Sequence, residues 1–318
     1  MCPYTPKHTK GSKNIMNQMG YACINMELSN CKPKITTNRS MIKRTFTSKG
    51  LPYASQLTLE NCKDLLTILK WNNDNGFKFF RMSSDLIPWA SEYDICDLPD
   101  YDEIKKVLFE CGKYAKDNSM RITSHPGPFN VLTSPHEHVV ENCIKDLSIH
   151  GEVFDMMNLS RTPYNKINIH IGGVYGDKES AMKRFCENFN RLPDSVKTRL
   201  TVENDDKASM YSVVDLYEGV YKVIGIPIVF DYHHHRFNTG GLSEKDALEV
   251  AISTWINVVP VVHYSESRSI EKEDDKIRPQ AHSDYIYDYI DTYGNEVDIM
   301  VEAKAKELAV LKYKELHG

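Results

Sequence analysis

The chain has 318 residues, of which 41% are hydrophobic, 10% aromatic and 26% charged. This composition excludes a disordered tail, a collagen and a coiled coil, because the apolar residues suffice for a core. No apolar run approaches the ~18 residues of a membrane span, and no hydrophobic signal segment follows the first methionine. The eight cysteines form no CxxC pair, which indicates reduced thiols. We therefore expect an intracellular protein, neither secreted nor bound to a membrane, in a cytoplasmic or nucleoid, nuclear or viral compartment.

Charge is unevenly distributed along the chain. Residues 1–50 carry nine lysines and arginines against one acid, Glu27, for a net charge of +8. The whole chain carries −5, so the remaining residues carry −13. A basic segment on an acidic body suits a polyanion ligand. It equally suits a solvated, lysine-rich terminus, and charge alone favours that second interpretation.

Short apolar runs alternate with amphipathic helical patterns. The strand-like runs are Gly20–Asn25, Phe77–Ser83, Met120–His125, Ile167–Ile171, Leu200–Glu203, Pro227–Asp231, Val258–His263 and Val297–Glu302. The helical patterns are Thr58–Asn73, Tyr101–Asp117, Pro135–Phe154, Lys178–Leu192, Val213–Val223 and a segment that begins at Ser243. Eight such units predict a parallel, closed (β/α)8 TIM barrel of the α/β class. We expect one domain over residues 20–318, preceded by a flexible extension over residues 1–19.

Imidazoles and carboxylates recur where the predicted strands end. In a (β/α)8 barrel the carboxyl ends of the strands meet at one mouth, and the active site lies there. The candidates at strand ends and in two loops are His125, His170, Glu203, Asp231, His234, His263, His282 and Glu302. Any one of them alone would be weak evidence, because a single histidine or glutamate there is more often a core residue or a cap. Together they indicate a functional site.

Metal ions would explain why these side chains converge. Three carboxylates at one mouth would repel each other unless divalent cations were bound between them. Imidazoles with carboxylates suit Zn²⁺, Mn²⁺ or Fe²⁺ better than Ca²⁺. The set is too large for one ion, so we expect two or three ions with a bridging carboxylate. Such a site suits phosphodiester hydrolysis, and the basic N-terminal segment could then follow a nucleic-acid backbone.

Ten stretches resemble the UV-damage endonuclease family, which is related to endonuclease IV among the xylose-isomerase-like barrels. They are GYACIN (20–25), ITTNRS (35–40), FFRMSSDLIPWAS (79–91), SHPGPF (124–129), HIGG (170–173), VENDD (202–206), FDYHHH (230–235), VHYSES (262–267), AHSDYI (281–286) and VEAKAKE (301–307). They follow the order of the family and cover the chain from about Gly20 onward. As a set they are highly specific.

The resemblance implies metal-dependent incision of duplex DNA immediately 5′ to UV photoproducts, both cyclobutane dimers and 6-4 products, at the start of excision repair. It implies Mn²⁺ as the cofactor, with Zn²⁺ or Mg²⁺ as alternatives. One ion would be held by His125, His170 and Glu203. Glu203 would bridge to a second, held also by Asp231, His263 and Glu302, and a third would be held in part by His234 and His282. The catalytic residues would be Glu203, Asp231, His234 and Glu302.

The resemblance also implies contacts to DNA. Tyr21 and Asn25 match residues near the lesion. Tyr21 could equally pack at the barrel rim, but its position at a strand end predicts a side chain directed at the mouth. The expected phosphate contacts are Arg39, Lys43 and Arg44. Arg81 is either a phosphate clamp or part of a buried ion pair with a strand-end carboxylate, and the sequence does not distinguish the two.

Three positions depart from the family pattern. Pro128–Phe129 replaces a Gln–aromatic pair that wedges into the duplex, and Phe129 could stack on an exposed base while Pro128 supplies no amide. Val261 replaces a lysine near the third ion and cannot supply a ligand. Glu92 replaces a histidine, and we expect it to offer a negative ligand near the metals.

Other functions fit part of the pattern. An endonuclease IV-like enzyme would use the same metals on abasic sites, and a sugar isomerase or epimerase would need fewer metals and no basic arm. A protein that had lost catalysis would bind damaged duplex without nicking it. We expect a monomer that acts on damaged double-stranded DNA. In the HHH run at 233–235 we expect only His234 to face the site, with His233 and His235 turned to loop or solvent.

Overall fold

In the computed structural model, which describes residues 17–318, eight parallel strands form a closed barrel. The strands are β1 (Met19–Ala22), β2 (Phe79–Met82), β3 (Arg121–Ser124), β4 (Ile167–Ile169), β5 (Leu200–Glu203), β6 (Ile228–Asp231), β7 (Val261–Tyr264) and β8 (Asp298–Val301). Each strand pairs with its neighbours in sequence, and β8 closes the barrel against β1, with Met300 opposite Gly20. The predicted (β/α)8 barrel is therefore confirmed.

Helices connect the strands. They are α1 (Met26–Ser29), α2 (Lys43–Asp74), α3 (Tyr101–Asp117), α4 (Glu137–Met156), α5 (Lys178–Phe189), α6 (Asp194–Lys197), α7 (Val213–Leu216), α8 (Lys222–Ile224), α9 (Tyr232–His235), α10 (Glu244–Ser253), α11 (Arg268–Glu271) and α12 (Glu307–His317). A π-helical turn, Tyr217–Tyr221, joins α7 to α8. Short 3-10 helices occupy Ala90–Glu92, Ile95–Asp97 and Pro163–Asn165. None of the helices within residues 17–318 combines the length and apolarity that a bilayer crossing needs.

Element boundaries differ from the predicted ones in two informative places. The first strand begins at Met19, so the domain starts before the predicted boundary at residue 20. Residues 1–16 of the predicted flexible extension lie outside the described residues. Helix α2 begins at Lys43 rather than Thr58, because Gly50, with φ of 60°, and Pro52 kink the helix without ending it. Proline is tolerated at this point because N–H groups in the first turn after a kink have no carbonyl partner within the helix, so the N–H that proline lacks costs no hydrogen bond.

The core has an inner and an outer part. Inside the barrel, Phe79, Val229, Val261 and Met300 form an apolar floor. The outer part lies between the strands and the helices and is much larger. Alternate residues of each strand point to opposite sides, so one set of positions fills the barrel and the other packs against helices. The carboxyl ends of the strands above the floor are left for the polar site.

Candidate metal centre

Glu203 lies at the centre of a group of imidazoles. It ends β5 and is fully buried. Its carboxylate oxygens lie 3.0 Å from His263 Nδ1, 3.2 Å from His125 Nε2, 3.4 Å from His234 Nδ1 and 3.9 Å from His170 Nε2. These side chains come from five different strand ends or the residues just after them, which the barrel brings to one mouth.

Two further carboxylates complete the group. Asp231 ends β6 in register with His263, and Glu302 follows β8 with Oε1 lying 3.1 Å from His263 Nδ1. His282, after β7, lies 3.8 Å from Glu302 Oε2. Three residue groups could each hold a metal ion, because the potential ligand atoms inside each group lie within 4.8 Å of one another. The groups are His125, His170 and Glu203; Glu203, Asp231 and His234; and Asp231, His263 and Glu302. The structure thus brings all eight candidates from the strand ends and the two loops to the same mouth.

Contacts outside the ligand cluster orient four of its imidazoles. Three Nδ1 atoms lie 2.8–3.1 Å from backbone carbonyl oxygens: His125 from Pro126, His234 from Asn204 and His282 from Glu302. A carbonyl oxygen only accepts, so an Nδ1 that donates to it leaves Nε2 of the same neutral ring free to bind a metal. His170 is held by a carboxylate instead, with Nδ1 lying 3.0 Å from Asp205 Oδ1. This is the arrangement that metal-binding histidines use.

His263 has the reverse orientation. Its Nδ1 faces Glu203 and Glu302, whereas its Nε2 lies 3.1 Å from Nζ of Lys166. Lys166 directly precedes β4 and is fully buried. Burial holds the pKa of Lys166 well below its ordinary value. This contact occupies Nε2 of His263, so Nδ1 is the ring nitrogen that faces the two carboxylates and is placed to bind a metal.

The charges of the cluster shift the pKa values of its members. Burial alone would raise the pKa of Glu203, but the charges of His263 and His170 hold it well below its usual range. The pKa of Glu302 is likewise held low against burial by Arg81 and His263. Burial lowers the pKa of His125 to about 4. Burial also opposes the charged form of His170, but Glu203 and Asp205 raise its pKa to about 10.

The cluster fits divalent cations. Within residues 17–318, Glu203 Oε1, Asp231 Oδ2 and His263 Nδ1 are buried and have no hydrogen-bond partner. Buried polar atoms in proteins are nearly always hydrogen-bonded, so orphans grouped at one site call for a ligand. Carboxylate oxygens with imidazole nitrogens are the donor set of borderline divalent metals. The residues present therefore match the ion class that the sequence predicted.

Tyr21 and Asn25 are not at the mouth. Tyr21 pairs in register with Phe80, packs edge-on against its ring and is fully buried. Its hydroxyl contacts Asn72 of α2, and the Asn25 amide donates to it. Asn25 is also buried and caps α1 by accepting from the Leu28 N–H. The prediction that Tyr21 points to the mouth is wrong, because it occupies a strand position whose side chain faces the helices.

The predicted ligand Glu92 and the predicted phosphate contacts lie apart from the cluster. Glu92 is exposed at the end of a 3-10 helix and belongs to none of the ligand sets within residues 17–318. Arg39 Nη2 lies 2.6 Å from Asp64, and its Nη1 donates to the carbonyl of Thr36. That guanidinium is therefore engaged in fixing the loop before α2. The other two predicted contacts, Lys43 and Arg44, are exposed in the first turn of α2.

The Pro128–Phe129 pair borders the mouth. Pro128 lines a cavity of about 390 Å³ together with His125, His170 and Glu302. Phe129 is 65% exposed and borders a neighbouring cavity of about 170 Å³ beside Trp89. An exposed aromatic ring next to a cleft is available to stack on a base.

His233 and His235 do not face solvent. His233 is fully buried, with its ring 5.6 Å from that of His282. His235 is 3% exposed and packs against Phe230. Of the two environments expected, loop or solvent, the structure shows the first, because the four-residue helix α9 places both rings under the loops.

Several supporting residues were missed by sequence reasoning. Lys166 and Asn168 contact His263 and Glu203, and Asp205 contacts His170. A signal existed for the first two, since residues 166, 168 and 170 alternate along one strand and share its inner face. Asp205 lies two residues after Glu203 in VENDD, and the same spacing of two residues was the signal for it.

A closed (β/α)8 barrel with histidines and carboxylates gathered at its mouth defines a TIM barrel whose mouth could hold metal ions. Residues 17–317 match the family model described as UV-endonuclease UvdE. The chain belongs to this family, and it is thereby an endonuclease of UV-damage repair.

Individual relatives support the assignment. The chain is 35% identical over 305 residues to the UV-damage endonuclease of Schizosaccharomyces pombe, and the match covers 93% of this chain and 50% of that protein. The chain thus spans about half the length of that relative. It is 32% identical over 309 residues to the UV DNA damage endonuclease of Bacillus thuringiensis, with 93% of each covered.

Solved structures agree. The crystal structure of SacUVDE is similar with a TM-score of 0.79 and 32% identity, over 95% of this chain and 100% of that one. D-Psicose 3-epimerase from Clostridium cellulolyticum is similar with a TM-score of 0.52 and 12% identity, over 75% of this chain and 78% of that one. The likeness to the epimerase is one of fold alone.

Proposed function

We propose that this chain, inside the cell and as a monomer, cuts duplex DNA at the phosphodiester immediately 5′ to a UV photoproduct. The observation that carries the proposal is the position of Glu203, whose buried carboxylate lies within 3.9 Å of four imidazoles at the barrel mouth. A phosphodiester needs several positive centres to neutralise its charge during hydrolysis. Family membership supplies the class of DNA lesion.

The three ligand sets suit two or three ions, with Mn²⁺ as our proposed metal. His125 and His170 would hold one ion with Glu203, and His263 and Glu302 would hold another. His234 and His282 would contribute to a third. When bound, these ions would activate water, steady the leaving oxygen and neutralise the phosphate.

The protein's own residues prepare the site for that chemistry. The N–H of His234 donates to Asp231 Oδ1 at 2.8 Å, which fixes the carboxylate and leaves Oδ2 facing the cluster. The amide of Asn168 donates to Glu203 and holds its side chain. Ligands whose positions are fixed before the substrate arrives need little reorganisation during the reaction.

Recognition of the lesion would fall to Phe129 and its neighbours at the mouth. The exposed ring can stack on a base left unpaired by the photoproduct. Pro128 offers shape but no hydrogen bond at the position beside it. Lys43 and Arg44, exposed at the start of α2, are available to contact backbone phosphates.

The test is a nicking assay with Mn²⁺ on an end-labelled duplex that carries one cyclobutane dimer. Undamaged and abasic duplexes run beside it, with Glu203→Gln as the inactive control. We expect one metal-dependent cut immediately 5′ to the dimer, absent in the variant. A cut in the abasic duplex alone would reassign the chain to the endonuclease IV type of activity, and no cut in any duplex would refute the proposal.

A further inference from the structure

Buried arginines in this barrel are normally hydrogen-bonded on every side. All three side-chain nitrogens of Arg121 donate, to the carbonyls of Tyr164, Val259 and Pro163 and to the carboxylate of Asp298. The three nitrogens of Arg199 donate to the carbonyls of Ser160, Ser195 and Leu159. Such saturation is expected, because a buried donor without a partner loses its hydrogen bonds to water and gains none in return. These two guanidiniums hold the fold together.

Arg81 is hydrogen-bonded on one side only. It lies on the inner face of β2, and its Nη1 donates to Glu302, a predicted metal ligand. Within residues 17–318, its Nε is buried without a hydrogen-bond partner, and its Nη2 makes no hydrogen bond either. The side chain lines the mouth cavity beside His125 and His170. The unsatisfied donors therefore belong to a guanidinium that borders the site of the reaction.

The chemistry of this edge selects an anion. Nε and Nη2 lie on the same edge of a planar guanidinium, and a phosphate oxygen placed between them accepts from both donors. The cavity that Arg81 lines has a volume of about 390 Å³, which is large enough for a phosphate group. A fixed cation placed where negative charge grows in the transition state lowers the barrier without having to move.

We propose that Arg81 binds a non-bridging oxygen of the scissile phosphate through its Nε–Nη2 edge while Nη1 stays on Glu302. This inference rests on the proposed function, since it assigns a residue to that substrate. It makes Arg81 a catalytic residue that connects a metal ligand directly to the phosphate. The two interpretations left open by the sequence, phosphate clamp and buried ion pair, are then both fulfilled by one side chain.

The first test compares Arg81→Gln and Arg81→Lys under single-turnover conditions on the photodimer duplex. In the substrate, one non-bridging oxygen of the scissile phosphate is replaced by sulfur, and the two resulting stereoisomers are tested separately. We expect Arg81→Gln to slow cleavage by ~10²–10³-fold, with Arg81→Lys in between. The penalty for one sulfur stereoisomer should be large in the wild type and largely lost in Arg81→Gln.

The control is Arg121→Lys, a change of a guanidinium on the same inner face at the opposite end of β3 from the mouth. It should lower the melting temperature while the folded protein keeps the wild-type sulfur penalty. An Arg81→Gln enzyme with the wild-type rate and the wild-type sulfur penalty would overturn the proposal.

The second test needs no metal. Affinity for the photodimer duplex is measured in EDTA, with the scissile phosphate either intact or replaced by an uncharged methylphosphonate. The wild type should bind the uncharged duplex roughly 10–100-fold more weakly, as for loss of a charged hydrogen bond, whereas Arg81→Gln should bind both equally. If the uncharged phosphate weakened binding equally in the wild type and in Arg81→Gln, Arg81 would not contact the phosphate and would only form an ion pair with Glu302. A wild type that neither cuts nor prefers the photodimer would instead refute the proposed function itself.

Discussion

Lys166 Nζ lies 3.1 Å from His263 Nε2, beneath the ligand cluster and fully buried. The contact turns His263 so that Nδ1 faces Glu203 and Glu302. The other imidazoles of the cluster are held through Nδ1 instead. Val261, two residues before His263, is part of the apolar floor, so β7 supplies no amine to the site. The amine beside His263 comes instead from Lys166, directly before β4.

Replacing Lys166 by methionine tests this relationship, because methionine keeps the length of the side chain and removes its hydrogen bond. We expect metal affinity to fall by ~10–100-fold, the usual cost of losing a residue that orients a ligand. Metal retained at defined free Mn²⁺ concentrations measures the effect. Lys78→Met is the matched control, because Lys78 donates to Asn73 and Asn118 away from the cluster. Equal metal affinity in the two variants would contradict the role.

The sequence predicted well which side chains meet at the mouth, because the barrel fold itself determines where the strands end. Once eight β/α units are recognised, parallel strands bring their carboxyl ends together, and His125, Glu203 and Asp231 meet without further information. The family resemblance added the division of the ligands among separate ions. Both inferences depend on position along a strand, which is a property of the sequence.

Side-chain direction was harder to predict. Tyr21 sits one residue from the inner-facing Ala22, and that single step sends its ring to α2 rather than to the mouth. Glu92 follows an irregular loop whose course no periodicity describes. Lys166 reaches the cluster only because its long side chain extends upward inside the barrel. Such placements depend on tertiary packing.

Phe129 and Tyr21 should respond to mutation in opposite ways. Phe129→Ala removes an exposed ring, so we expect unchanged stability and roughly tenfold or greater loss of affinity for a photodimer duplex, as for one lost stacking contact. Tyr21→Phe removes a buried hydroxyl bonded to Asn72 and Asn25, so we expect a loss of ~1–3 kcal/mol in the free energy of unfolding. Its affinity for the lesion should stay unchanged. Urea denaturation and binding measurements on both variants separate the effects, and the reverse pattern would contradict this placement.

Glu92→Gln should change neither metal binding nor activity. The side chain is exposed and belongs to none of the ligand sets in the described part of the chain, so removing its charge should leave metal content and incision rate unchanged. Metal analysis and the nicking assay check this, with Glu302→Gln as the positive control. Loss of bound metal in Glu92→Gln would restore the original expectation that this carboxylate is a ligand.

Metal loading should release protons. Without metal, Glu203 and Asp205 outweigh burial and raise the pKa of His170 to about 10, so its imidazole is charged near neutral pH. A metal binds the neutral form, so the ion displaces the proton and its affinity should rise with pH up to that pKa. Calorimetry in two buffers of different ionisation enthalpy counts the released protons, and His170→Ala should release about one fewer. Equal release by the wild type and His170→Ala would contradict the charged state.

A Mn²⁺ titration that follows bound metal and incision of the photodimer duplex in the same samples tests most directly whether Glu203 is the centre of the site. We expect the wild type to bind two or three ions, as its ligand sets allow, and cutting to rise with their occupancy. Glu203→Gln should lose at least one ion and cut on the order of a thousandfold more slowly. Full metal content with full activity in Glu203→Gln would contradict the claim that this carboxylate is the centre of the site.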